Sequence, residues 1–378
     1  MRVLYFSEIQ WLSQVSRKHL IIRRFPADWR VLFLSPFNLK AGENSFHARR
    51  DAAHAAVTYR SLPLPKPDSR SAFLRSLTPA LSAAGRRLLT AAAGRFAPDI
   101  VVCSNIWAAP AVSDLRERGV PVVYDLNDLH TEFYPACRAR AEAKFRDLVA
   151  KASEVVSSSQ HLRGVAGRGV VIGNGVDLDT FSGRRDLPLP GPLARSALGS
   201  CDDLVAYVGS VDERIDLAIV ERLLERLAAC GPKVGLVLVG RVFDSVLGWK
   251  EDVERRHAGR VLFTGRVPYD HLPGYLAHAS VGIAPFVRNA RTEAINPNKL
   301  YMYAAMNENI VSTPFSAEIE KHRDVVYVAS GPDEFAEAVL AALGDRGRRE
   351  IVRARIAVPN SWDEKASEFM RLLTAFAP

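Results

Sequence analysis

The sequence has little of what marks a metal, redox or disulfide protein. Cys103, Cys137, Cys201 and Cys230 are its only cysteines and show no paired spacing, which excludes a zinc module and a disulfide framework. The aspartates lack a second acidic pair at ligand spacing, so no metal is expected, and no other cofactor. No run of about 18 apolar residues occurs, so no transmembrane helix is expected. The stretch MRVLYFSEIQW lacks the apolar centre and small-residue cleavage site of a signal peptide and reads as a short strand, which makes the cytoplasm the expected location. Walker A and G-x-S-x-G motifs are absent. The first strand leads into FSEIQW rather than a G-x-G-x-x-G turn, and the glycines of GRGVVIGNGVD precede a linker, which argues against a nicotinamide or flavin site. Zinc-finger spacing, ribonucleoprotein motifs and interleaved aromatics are also missing, so nucleic acid is not an expected partner.

What is present is the composition of a folded enzyme: 48% hydrophobic and 24% charged residues leave no case for disorder or a fibrous repeat. A chain of 378 residues exceeds one ordinary core and is best divided in two. Strand-like runs alternate with helical ones throughout, which predicts an α/β fold with parallel sheets. Expected strands are Val3–Phe6, Val31–Ser35, Ile100–Ser104, Val122–Leu126, Val155–Ser158 and Val170–Ile172, then Leu204–Val208, Val234–Val239, Val261–Thr264, Val281–Pro285, Ile310–Ser312 and Val325–Val328. Turn residues and prolines between them place a first domain at 1–178 and a second at 179–359. A last helix at 360–378, capped by Ser361 with Glu364 three residues on, is free to return to the first domain. Ligands of such sheets sit outside the carboxyl ends of the strands.

Charge is unevenly spread. Residues 1–100 hold 16 Lys/Arg against 6 Asp/Glu, more than the whole chain's net +8, which points the amino-terminal domain towards an anionic surface. The stretch 71–96 mixes Phe73, Leu74, Leu77, Leu81, Leu88 and Leu89 with Arg75, Arg86, Arg87 and Arg95. That is the composition of a helix lying in a membrane interface, and equally of a core helix with a solvated arginine face.

Several strand-end segments could carry chemistry. In NPNKLYMYAAMNENIVSTPF (296–315), Pro297 suits a first helical turn, and Lys299 and Tyr303 follow on one face. A helix start beside a lysine suits a diphosphate, although an ordinary helix with a solvated lysine has the same pattern. YVGSVDERIDL places Gly209, Ser210 and Arg214 after the second domain's first strand, where glycine allows a ligand close to the backbone and the guanidinium can fork onto a phosphate. FTGRVPYDHLPGYLAHASVGIAPF adds a turn at Gly265, Arg266 and Val267. In the first domain PVVYDL runs into NDLHTEF, setting Asp125, Asn127, Asp128, His130 and Glu132 at a sheet edge. A carboxylate there could act as general base towards a hydroxyl, with His130 orienting the substrate, or Asn127 or Asp128 could simply cap a helix. Trp11, Arg17, Lys18 and His19 could contact an acceptor, or pack as a helix.

Taken in order, YDLNDLHTEF, VIGNGVDLDTF, YVGSVDERIDL, VLFTGRVPYDHLPGYLAHASVGIAPF and NPNKLYMYAAMNENIVSTP resemble the GT-B glycosyltransferases, in particular family 4 enzymes of bacterial polysaccharide assembly. The resemblance covers nearly the whole chain. It implies two Rossmann-like domains facing a cleft, a last helix crossing back, a nucleotide-sugar donor on the second domain and a glycan, glycolipid or natural-product acceptor on the first. Gly209, Ser210, Arg214 and Lys299 match donor-diphosphate positions; Gly265, Arg266, Val267, Met302 and Tyr303 fall at nucleoside positions. VVYDLNDLHT is also similar to the segment carrying the catalytic aspartate of the membrane-associated xanthan glucuronosyltransferase, with Asp128 the matching residue. That parallel implies inversion with Asp128 as base, whereas the family 4 parallel implies retention with the leaving phosphate taking the proton. Many relatives read LYEY where this chain reads LYMY, and Met302 cannot accept ribose hydrogen bonds as a carboxylate does. Weaker donor binding or a deoxyribonucleotide donor is therefore expected. A sugar-nucleotide epimerase and a non-catalytic binding protein of the same fold are the alternatives.

Overall fold

The computed structural model describes residues 1–13, 15–36, 47–62, 86–231, 233–306 and 308–376. Residues 71–85 of the basic, apolar stretch lie outside these; of the remainder, Leu89 is buried, Leu88 is exposed and Arg86 pairs with Asp114. The chain divides into two compact units. One comprises Met1–Gly173 with the segment from Lys365 onward, the other Asn174–Glu364.

The first unit holds a sheet of order β3-β4-β2-β1-β5-β6-β7-β8, built from β1 (Arg2–Phe6), β2 (Arg30–Pro36), β3 (Arg49–Arg50), β4 (Val57–Leu62), β5 (Ile100–Cys103), β6 (Val122–Leu126), β7 (Glu154–Ser157) and β8 (Val170–Val171). Only the β3–β4 pairing is antiparallel. The central strands are largely apolar and fully buried in β5 and β6, where Asp125 is the one charged residue, as expected where both faces of a parallel sheet are covered. The pair β3 and β4 is an addition to the sequence expectation. VTYRSL alternates buried and half-wet positions, a weaker signal than a continuous apolar run.

The second unit holds a sheet of order β11-β10-β9-β12-β13-β14, from β9 (Asp203–Val208), β10 (Val234–Val239), β11 (Val261–Gly265), β12 (Val281–Ala284), β13 (Asn309–Ser312) and β14 (Tyr327–Val328). All its strand pairings are parallel. Helix Leu217–Ala229 buries Ile219, Val220, Leu223, Leu224 and Leu227 at helical spacing, and its Asp216 cap accepts the Ile219 N–H. Five such side chains contribute about 1.5–3 kcal/mol each. In each sheet the chain turns back past its own first strand, so that β1 lies beside β5 and β9 beside β12. The two strands part there in opposite directions, and their carboxyl ends open the crevice where ligands of such sheets sit. The last helix, Trp362–Phe376, begins as expected, with the Ser361 hydroxyl accepting the Glu364 N–H at 3.2 Å.

Candidate functional site

At the crevice between β9 and β12, the loops leaving the two strands are stitched together. Ile215 bridges Phe286, the Asp216 N–H donates to the Pro285 carbonyl at 2.8 Å and the Val287 N–H to the Arg214 carbonyl at 2.8 Å. Beneath them lies Lys299, the second residue of helix Asn298–Ala305, whose cap is Pro297. The proline was expected inside the first turn and stands one position earlier. Lys299 is 8% exposed, and its ammonium has no hydrogen-bond partner among the described residues. It sits 3.8 Å from the Tyr207 ring centroid and 4.1 Å from that of Phe286. Burial, then the Arg214 charge, pulls its pKa well below the usual lysine value, against a smaller opposing pull from Asp212. A buried amine held only by aromatic faces is a group awaiting an anion.

Backbone approach is the second property of the crevice. Three neighbouring strands end in glycines of positive φ: Gly209 after β9 at 136°, Gly240 after β10 at 156° and Gly265 closing β11 at 70°. A Cβ on Gly209 would stand 3.3 Å from the Lys299 ammonium and 3.4 Å from the Tyr207 hydroxyl. On Gly240 it would collide with the Gly209 carbonyl, and Gly240 also bridges Gly265. These glycines form a ledge without side chains beside the lysine. Arg266 and Val267, which follow it, line a pocket of about 640 Å³ with Thr264, His271 and Tyr275.

The other expected donor-side residues divide. Arg214 is brought to the crevice, 5.6 Å from the Phe286 ring centroid, but its fork holds Asp212 at 2.8 and 2.6 Å. The Asp212 carboxyl, which burial alone would push up, is held below its usual range by those bonds and the Arg214 charge. Ser210 offers its backbone carbonyl to the Tyr207 hydroxyl at 2.7 Å. Met302 packs, half-buried, against the core. Tyr303 is not at the crevice surface. It is fully buried with its ring over Gly282, and its hydroxyl accepts the Val208 N–H at 2.8 Å and donates to the Ile283 carbonyl at 3.1 Å. Its place on the inward face of a core helix explains why it packs rather than binds. The sequence reading missed Gly240, Tyr207 and Asp212. Tyr207 was findable, since it lies two residues before Gly209 on the same strand face.

In the first unit, the crevice between β1 and β5 is filled from within. Lys18 is 1% exposed, pairs with Glu8 and donates to the Ser104 hydroxyl at 3.1 Å, while that hydroxyl lies 2.6 Å from Glu8. Burial alone would raise the Glu8 pKa, but the charges of Lys18 and His130 and the bonds from Lys18 and Ser104 outweigh it and hold it at about 2. Arg17 is buried on Asp125 at 3.3 Å and donates to the Gly173 carbonyl at 2.6 Å, and Tyr5 takes the other Asp125 oxygen at 2.7 Å. His19 and Trp11 are buried against each other, ring centroids 4.7 Å apart. Burial and the charges of Lys18 and Arg23 depress the His19 pKa to about 3. The four residues expected at an acceptor surface, Trp11, Arg17, Lys18 and His19, are thus interior, because their charges and rings complete the sheet's own packing. Asp128 is half-buried just past the carboxyl end of β6. His130 follows, 4% exposed, with both ring nitrogens unpartnered among the described residues. Among the described residues no group of His, Cys, Asp and Glu is placed to hold a metal ion.

The fold is that of the GT-B glycosyltransferases. The structure matches sucrose-phosphate synthase from Thermosynechococcus elongatus with a TM-score of 0.77 at 15% identity, covering 99% of this chain and 98% of that one. It matches Anabaena HepE, solved in complex with UDP and glucose, with a TM-score of 0.72 at 17% identity, covering 99% and 100%. In sequence the chain is similar to TuaH of Bacillus subtilis (strain 168), a protein assigned as a teichuronic acid biosynthesis glycosyltransferase, at 26% identity over 276 residues. The match takes in 69% of this chain and 63% of that relative, so the chain spans less than two thirds of the relative's length. No family model matches.

Proposed function

We propose that this protein is a glycosyltransferase that moves a sugar from a nucleoside diphosphate to a hydroxyl of a glycan, glycolipid or natural-product acceptor. The observation that carries the reading is Lys299, a buried cation without an anion at the strand crossover of the second sheet, beside a ledge of three glycines. A diphosphate supplies the missing charge, the ledge admits its oxygens to backbone N–H groups, and the turn at Gly265–Val267 leads to a pocket of nucleoside size. The UDP and glucose in HepE, and the assignment of TuaH to glycosyl transfer, favour the same chemistry.

Transfer then needs a leaving diphosphate stabilised by Lys299, with Arg214 as the second cation once its fork turns from Asp212. Asp128 is the group suited to deprotonate the acceptor hydroxyl in an inverting reaction; in a retaining one the leaving phosphate itself takes the proton. Screening uridine, guanosine and deoxythymidine diphosphate sugars for hydrolysis and transfer tests the reading. Activity lost in both Lys299→Ala and Asp128→Asn supports these roles, and unchanged activity in both rejects them. Met302 favours a donor with fewer ribose hydroxyls, and a strong calorimetric preference for a ribonucleotide would reject that refinement.

The excess of basic residues in the first hundred supports attachment to an anionic membrane surface, where lipid-linked acceptors reside. No helix among the described residues is long and apolar enough to cross a membrane. Flotation with anionic liposomes at low and high salt tests the attachment; no salt-sensitive binding would end it.

A further inference from the structure

We propose that the aromatic and basic side chains at the carboxyl edge of the first sheet form the acceptor site, and that the site selects a saccharide bearing an anionic group. The proposal rests on the transferase reading and adds the acceptor's chemistry to it.

Two loops build the site. Trp107 leaves the end of β5; Phe133 and Tyr134 follow β6 and Asp128. Trp107 and Tyr134 meet edge to face with centroids 5.1 Å apart across the two loops, and Phe133 meets His130 at 5.9 Å in a second pair on the loop after β6. Phe133 is 37% exposed. Aromatic faces suit the C–H side of a pyranose ring, as flat apolar walls with few polar groups suit small ligands generally. The polar complement is there too. Both nitrogens of His130 and the indole N–H of Trp107 are buried without hydrogen-bond partners among the described residues. Orphaned donors and acceptors in a low-dielectric site are costly, and sugar hydroxyls are able to satisfy them.

The anionic part follows from helix Arg138–Lys151. Arg138 is neutralised by Glu132 and Glu142. Arg140, two residues on, has no carboxylate partner among the described residues and lies 5.5 Å over the Trp107 ring. Lys144, one turn further, has its pKa pulled down by burial and by the charges of Arg140, Lys151 and Arg86, against Asp147 alone. Arg140 therefore stands over the Trp107 ring without a counter-charge among the described residues, with Lys144 four residues on along the same helix face. A neutral sugar would leave Arg140 without one, whereas a carboxylate or phosphate can take the guanidinium fork.

The test uses the full chain and saturation-transfer NMR titration with three probes: methyl β-glucuronide, glucose 6-phosphate and methyl β-glucoside. At least one anionic probe should bind about tenfold tighter than the glucoside, the size of one charge-assisted contact. Arg140→Gln should erase that preference, and Trp107→Ala should weaken all probes by about tenfold. Which anionic probe wins tells a carboxylate from a phosphate site. Equal binding of all three, no binding, or a preference that survives Arg140→Gln overturns the proposal, as does Arg140-dependent binding to anionic vesicles without any to the sugars. Trp107→Phe, which keeps an aromatic face, should retain most affinity and guards against misreading a folding defect. UDP titration of the same variants separates the two readings. UDP affinity should be unchanged in them, and failure of UDP to bind the wild type would remove the donor reading while the sugar preference stood.

Discussion

The two sheets make the same turn and fill it differently. Beside β1 and β5 the crossover holds a lysine already neutralised by Glu8 and hydrogen-bonded to Ser104; beside β9 and β12 it holds a lysine with ring faces but no hydrogen-bond partner or counter-charge among the described residues. One cation contributes to holding its sheet together. The other is kept at the expense of stability, since a buried amine without a counter-charge is unfavourable until a ligand arrives. Equal topology therefore does not imply equal function, and the counter-charge is what separates a structural crossover from a binding one.

The comparison is most sharply tested by removing each lysine's situation in turn. Glu8→Gln leaves Lys18 buried and unpaired, and should cost about 3 kcal/mol of unfolding free energy, visible in chemical denaturation. The pH dependence has a definite sign. Glu8 has a folded pKa of about 2 against an ordinary 4.5, so its contribution is complete above the unfolded value and fades as pH falls from there towards 2. The variant should lack that slope. Lys299→Met should behave oppositely: equal or greater stability, and UDP affinity down by about 1.5–3 kcal/mol, on the order of 10- to 150-fold by calorimetry. A variant that loses stability and keeps its UDP affinity would cancel the contrast.

Little of that contrast was legible in the sequence. The central strands were, because buried parallel strands are written as apolar runs, and Lys299 stood out through its helix start and its place after a strand. The partnering of Lys18 was not, since Glu8 and Ser104 lie 10 and 86 positions away and only the fold brings them together. Arg17 and Asp125 were hidden for the same reason. Tyr303 was placed with the nucleoside because one face of a short helix can point to a ligand or to Gly282, and spacing does not tell which. Nothing beside Gly240 in the sequence marks it, since its neighbours carry no motif and its need for glycine comes from Gly209 on the next strand.

Smaller effects probe the ledge. Gly209→Ala imposes a side chain at a φ of 136° and sets a methyl 3.3 Å from the Lys299 ammonium. A cost of about 1–3 kcal/mol in stability is expected, with UDP affinity reduced as well. The variant separates crowding from charge, because Lys299 itself is untouched.

The smallest effect isolates how the lysine is held. Tyr207→Phe keeps the ring 3.8 Å from the ammonium and removes only the hydroxyl that donates to the Ser210 carbonyl. If the ring face is what positions Lys299, UDP affinity should change by less than about fivefold, within the roughly 1 kcal/mol of a single hydrogen bond. Tyr207→Leu, which removes the face, should weaken UDP further while leaving the charge in place. Equal losses in the two variants would instead assign the work to the Ser210 loop, and the second crossover would then resemble the first in depending on hydrogen bonds rather than on a buried charge held by ring faces.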